Sequence, residues 1–143
     1  AKLATPDVDA VVEATVLMSG VGFESCGVAA AHAIHNGLTE IPETKKYLHG
    51  EKVGYGLLAS LFLSSKPDDL RQELFSFCAD VGLPVQLAQI GIDPKDDAGL
   101  MRVAERVVKN GGNITNEPFD IEPIDIVVAM QAADNYGKAF VKG

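Results

Sequence analysis

The sequence predicts an all-α protein, an irregular bundle of six or seven helices forming one domain over residues 1–143. Three observations lead there. No segment sustains the apolar–polar alternation of a half-buried strand. Helix start and stop signals recur along the whole length. The apolar content of 47% is built largely from Ala, Val and Leu, with only 6% aromatic residues. Without strands there is no βαβ unit, so Gly20 and Gly22, which precede a helix, do not make a dinucleotide loop. A chain of this length can bury its own core.

The first helix is expected over residues 5–18. Thr5 serves as N-cap, Pro6 suits the first helical position, and Asp7 and Asp9 lie at the positive end of the helix dipole. Val8, Val11, Val12, Thr15 and Met18 form one apolar stripe, which predicts a helix packed against the core. A second helix, about 24–35, is expected to stop at Asn36 and Gly37 in left-handed conformation. Its Gly27, Ala29, Ala30, Ala31 and Ala33 leave little bulk on any face, so neighbours can approach closely. That predicts a central helix with His32 inside the domain.

Residues 38–48 connect through a turn at Pro42, with Thr44, Lys45, Lys46 and Tyr47 solvated. The third helix, 49–64, is apolar almost all round and again central, and Gly54 and Gly56 mark a face of close approach. The fourth restarts at 65–68 and runs to 81, with Leu70, Leu74, Phe77, Cys78 and Val81 inward and Gly82 as its stop. After Leu83 and Pro84, residues 85–90 make a helical turn or two. The fifth helix, about 96–110, buries Leu100, Val103, Ala104, Val107 and Val108 and ends at Gly111 and Gly112. An irregular loop reaches Asp120. The last helix, about 122–140, buries Ile126, Val127, Met130, Ala133 and Tyr136.

A net charge of −8 with no basic cluster argues against nucleic acid and anionic membrane as partners, because phosphate backbones are held by basic patches. There is no 18-residue apolar run and no signal peptide, so the expected compartment is cytoplasmic and no membrane insertion is predicted. Cys26 and Cys78 form no C-x-x-C and read as two reduced thiols.

All three histidines, His32, His35 and His49, fall within 18 positions. His32 and His35 are three apart and share a helix face. His49 opens the next helix after the connection at Pro42 and can turn back towards them. Histidine is the commonest metal ligand. Histidines at helical spacing in an Ala-rich run are also compatible with simple packing, and no HExxH arrangement is present. Spacing alone leaves both readings open. Glu51 and Lys52, beside His49, either orient it by hydrogen bonding or form a first-turn charge pair.

The segments GFESCGVAAAHAIHNGLT and HGEKVGYG resemble the metal-binding region of glycerol dehydrogenases, in the iron-containing (group III) alcohol dehydrogenase family. GFES, AAAHAIHNG and HGEKV occur in the family's order and spacing, and the likeness continues more weakly through GLPVQLAQIGI and AADNYGKAF. It covers nearly the whole chain but only the C-terminal helical domain of the family. The resemblance implies that His32 and His49 are metal ligands, zinc in glycerol dehydrogenases, and that Phe23 lines the substrate pocket. It places His35 beside the site, supporting a ligand or contacting substrate. The family's third ligand, an aspartate on a preceding helix, and its nucleotide-binding domain have no counterpart here. Cys26 departs from the family's usual glycine and could crowd the site or become a stray ligand.

The expected function is therefore the metal- and substrate-binding portion of an NAD-dependent dehydrogenase of glycerol or another vicinal diol. It is expected to be inactive by itself and to need a missing N-terminal half that holds NAD, or assembly as a homo-oligomer. The alternative is a stand-alone helical module for metal binding or protein interaction, without catalysis.

Overall fold

The computed structural model of the chain describes residues 5–109 and 112–141, and the backbone but not the side chain of Cys26. The fold is all-α, with no strand among the described residues. Helix α1 (Pro6–Leu17) runs through a π-helical turn (Met18–Gly22) into the short α2 (Phe23–Cys26). After a break come α3 (Ala30–Leu38), α4 (His49–Leu63), α5 (Asp68–Asp80), α6 (Asp97–Val108) and α7 (Pro123–Gly137). Short 3-10 turns lie at Pro42–Lys46, Leu87–Ile90, Asn113–Asn116 and Lys138–Phe140.

Helices α3, α4, α7 and α6 pack in a ring, each against the next. Ile34, Leu38, Tyr55, Leu58, Leu100, Val103, Ile126 and Met130 fill its centre and are fully buried. Each such aliphatic side chain contributes about 1.5–3 kcal/mol relative to exposure. The ring is tight because glycine lets backbones meet. A Cβ on Gly56 of α4 would collide with the Ala31 carbonyl of α3, and one on Gly137 with the Val85 carbonyl. The buried Tyr55 hydroxyl and Asp134 carboxylate are paired, as burial favours, whereas the buried Arg71 Nε has no hydrogen-bond partner among the described residues. The Tyr55 hydroxyl donates to the Met130 carbonyl at 2.7 Å, and Asp134 Oδ1 accepts from the Leu87 amide at 2.8 Å.

Several expectations stand. Thr5 Oγ1 accepts from the Val8 amide at 3.3 Å and Pro6 opens α1. Helix α6 starts beside Asp96 as expected, and Asp96, which had not been assigned as a cap, caps it through the Gly99 amide at 2.9 Å. Gly82 stops α5 with φ of 78°. The expected end of α6 at Asn110 and Gly111 lies outside the described residues.

Others are corrected. The left-handed break is at Gly27 (φ 68°), before α3, and Asn36 and Gly37 lie within α3. Gly37 is small because the Val103 carbonyl of α6 would sit 2.6 Å from any Cβ there. The requirement is for packing room, where the Asn-Gly pair suggested a turn. On α5 the buried aromatic is Phe75, while Phe77 and Val81 are exposed. Phe75 wins that phase because it meets Phe62, Tyr136 and Phe140 edge-on or tilted. Tyr136 itself is half-buried. Thr44 is fully buried, its hydroxyl facing the Leu38 and Ile41 carbonyls at 2.8 and 2.9 Å. The stripe on α1 is not packed into the core, and no residue of α1 is buried. No single helix among the described residues is long and apolar enough to cross a membrane.

The close approach of α3 and α4 generates a paired prediction. Gly56→Ala should cost roughly 2 kcal/mol or more in chemical denaturation, since the obstacle is backbone and cannot swing aside. Gly50→Ala, on the same helix with open space around it, should be neutral or stabilising by up to about 1 kcal/mol. Equal effects of the two changes would contradict the packing account.

Candidate metal centre

The packing of α3 on α4 sets the site. His32 and His35 sit on α3, and His49 is the first residue of α4, where the 39–48 connection brings the chain back. The result is a cluster of three imidazoles. The rings of His35 and His49 meet edge to face with centroids 4.3 Å apart, and those of His32 and His49 are 5.7 Å apart. His32 and His35 are half-buried and His49 is exposed, so the cluster opens to the surface and His32 is not enclosed in the core. The physical reason is that α3 turns its Ala30, Ala33, Ile34 and Leu38 face inward, leaving position 32 on its flank.

A chain of hydrogen bonds orders the rings. His35 Nδ1 lies 3.1 Å from Asn36 Oδ1, which can only accept, so His35 donates there. Its Nε2 is then a bare acceptor and takes the Nδ1 proton of His49, also at 3.1 Å. That leaves the Nε2 lone pair of His49 free. Outer groups orient metal-ligating histidines in this manner. Both nitrogens of His35 are thus engaged within the protein. Neither Glu51 nor Lys52 orients His49: Glu51 Oε2 instead accepts from the Leu48 amide at 2.6 Å, capping α4.

Burial, and then the neighbouring His49, hold His32 below the usual histidine value. Burial lowers His35 as well. There the Asn36 hydrogen bond works the other way, while His49, Lys52 and His32 add to the lowering. Neutral imidazole is the form that binds metal.

Beside His32 lies an open groove of about 530 Å³, lined by Thr15, Met18, Phe23, Val28 and His32 among others. Phe23, 55% exposed, forms its apolar wall. The structure therefore brings Phe23 to His32 and His49 to His35, with His32 and His49 as the link between the two pairs. Asn116 and Glu117 carry no signal in the local sequence pattern. Asn116 Nδ2 donates to the Val28 carbonyl at 2.7 Å, and Glu117 Oε1 accepts from the Ala30 amide at 3.0 Å. They pin the start of α3, just below His32, from nearly 90 residues away, so no local pattern could reveal them. The side chain of Cys26 lies outside the described residues.

The donor set fits a divalent ion only in part. Zinc–nitrogen bonds of about 2.0–2.1 Å on a tetrahedral ion put two ring centroids roughly 5 Å apart, close to the His32–His49 spacing. Charge is what the set lacks. Among the described residues no three His, Cys, Asp or Glu side chains converge to hold an ion by themselves. The residues fit part of a site, with an anionic ligand still to be added.

No protein-family profile matches the chain. Individual proteins do. The chain is 53% identical over 137 residues to the glycerol dehydrogenase of Thermotoga maritima, covering 96% of this chain and 38% of that protein. The chain belongs to the glycerol dehydrogenase family. A probable glycerol dehydrogenase from Sinorhizobium meliloti superposes with a TM-score of 0.91 at 40% identity, over 96% of this chain and 39% of that one. The glycolaldehyde reductase of Halobacterium salinarum is 44% identical over 134 residues, covering 94% of this chain and 37% of its own length. The chain spans well under half the length of each of these relatives. The family match and the all-α fold agree with a C-terminal helical part of such an enzyme.

In the metal-free chain, an NMR titration should place His32 and His35 below the free-histidine value of about 6.5. Asn36→Ala should lower His35 further, because the bond it removes favours the protonated ring. A rise on that change would contradict the hydrogen-bond chain.

Proposed function

We propose that this chain is the metal- and substrate-binding portion of an NAD-dependent dehydrogenase acting on glycerol or a related vicinal diol. The observation that carries the reading is the return of His49 over the α3 histidines, beside a groove walled by Phe23, in a chain more than half identical to a glycerol dehydrogenase over 137 residues. The named substrates of its relatives, glycerol and glycolaldehyde, share two oxygens on adjacent carbons, which suits chelation by one ion.

His32 and His49 would hold the ion, which we take to be zinc. When bound, a divalent ion supplies the Lewis acidity that eases deprotonation of a diol hydroxyl. His35 fixes the tautomer of His49 and so leaves its Nε2 lone pair free. Phe23 covers one side of the groove and keeps water from the carbon skeleton of the bound diol. The third, anionic ligand and the cradle for NAD belong to polypeptide outside these residues. The isolated chain is therefore expected to be inactive. A non-catalytic helical binding module is the second reading, and the incomplete donor set among the described residues is what favours it.

Supplying the complementary polypeptide of a full-length relative tests the proposal. The mixture should bind one zinc per site and oxidise glycerol with NAD, and neither half alone should do so. His32→Ala and His49→Ala should each weaken zinc binding by about 100-fold or more, and His35→Ala by about 10- to 100-fold. Zinc bound undiminished by the His32 and His49 changes would rule out the assignment. Zinc bound without any oxidation would favour the non-catalytic module.

A further inference from the structure

Two open grooves meet at the stretch between α6 and α7. One, of about 430 Å³, is lined by Phe62 of α4, by Phe119, Asp120 and Ile121, and by Asp125 and Val128 of α7, among others. The other, of about 440 Å³, is lined by Ile114, Glu117, Pro118 and the same three loop residues. Residues 119–121 therefore border both. Apolar surface lies open here: Phe119 is 39% exposed and Val128 57%. Ile124, one turn before Val128 on the same face of α7, is 54% exposed. The main chain is also unused. Residues 119–121 belong to no helix, and their amides and carbonyls make no hydrogen bond among the described residues. Glu117 and Glu122, on either side, have extended backbone.

The charge around this surface has one sign. From 112 to 137 the sequence carries Glu117, Asp120, Glu122, Asp125 and Asp134 and no lysine or arginine. Asp120 is exposed and has no hydrogen-bond or ion-pair partner among the described residues. Asp125 gives Oδ2 to the Glu122 amide at 2.9 Å. Arg71 stacks on the Phe62 ring, 4.4 Å from its centre, but lines neither groove.

We propose that the two grooves and the 119–121 main chain are the docking site for an extended segment of another protein, one with apolar side chains for the grooves and lysine or arginine for the carboxylates. An extended peptide laid along unpaired main chain gains backbone hydrogen bonds, and pockets on either side select its side chains. Charge complementarity chooses this occupant. A second copy would bring a further net charge of −8 against the same carboxylates, which is unfavourable. Nucleic acid and anionic lipid are repelled for the same reason. The proposal does not depend on the dehydrogenase reading.

The test titrates the 143-residue chain into a fluorescein-labelled peptide of sequence KLKLKLK, read by anisotropy, with ELELELE and KSKSKSK as controls. KLKLKLK should bind one per chain and move the NMR amide signals of residues 119–121 and 128. The acidic and the serine peptides should bind at least about tenfold more weakly, since each lacks one of the two complementary features. Asp120→Lys and Val128→Ser should each weaken KLKLKLK by about tenfold. Glu13→Lys, the same change of charge on α1, should weaken it by less than about twofold. All three residues are exposed, so circular dichroism should show the fold kept in each variant. No saturable binding up to about 1 mM peptide overturns the proposal. Equal weakening by Asp120→Lys and Glu13→Lys does so too, because the attraction would then be to net charge alone. Two further outcomes would overturn it by showing a different occupant. One is self-association of the chain that moves the 119–128 signals. The other is exclusion of the peptide by a polypeptide made from the part of the Thermotoga maritima enzyme outside the 137 matched residues. Failure on any of these counts leaves the dehydrogenase reading standing, because neither His32 nor His49 lines the grooves.

Discussion

The approach of the α3 and α4 backbones at Ala31 and Gly56 is the constraint on which the candidate site depends. Glycine at position 56 brings the helices together where any side chain would meet a carbonyl. Ala31 lies between the buried Ala30 and the flanking His32, so the contact that fixes the helix spacing also fixes the histidine. At the other end of the pair, the 39–48 connection is anchored by the buried Thr44, and His49 is delivered to α4's first position. Two short elements with a fixed spacing and a pinned turn thereby place three imidazoles whose order in sequence alone does not require them to meet.

The start of α3 is held from elsewhere. Gly27 adopts a conformation that other residues resist, and α3 begins without a capping side chain of its own. Glu117 supplies that cap in trans, a carboxylate at the positive end of the helix dipole. The position of His32 thus depends on a 3-10 turn between α6 and α7. Helix packing and site geometry share the same few contacts, which is why the site sits on the rigid ring and not on a loop.

This division explains what was legible in the sequence. The helices themselves were, because caps and stops such as Thr5, Asp96 and Gly82 act within a few residues. The histidine cluster was visible as composition, and its family motif named His32, His49, Phe23 and His35 before any geometry. What failed were inferences needing a distant neighbour. Gly37 looked like a turn because the Asn-Gly pair is a turn signal, yet its smallness serves the Val103 carbonyl of α6. Phe75 and Phe77 compete for the inner face of α5, and only the aromatic cluster from α4 and α7 decides between them. The stripe of α1 is apolar, but the expectation that it packs against the core failed, and no residue of that helix is buried.

Electrostatics tie the bare helix to the unfinished site. Three imidazoles, neutral when a metal binds, bring no charge to set against a divalent ion. The buried Lys52, whose positive charge is felt at His35, opposes a further cation nearby. A site of this sign holds an ion well only once a carboxylate is added. The described residues bring none to the histidines. The helix wall of the adjoining groove, at Thr15 and Met18, is exposed as well, so the groove and the histidines share one open side.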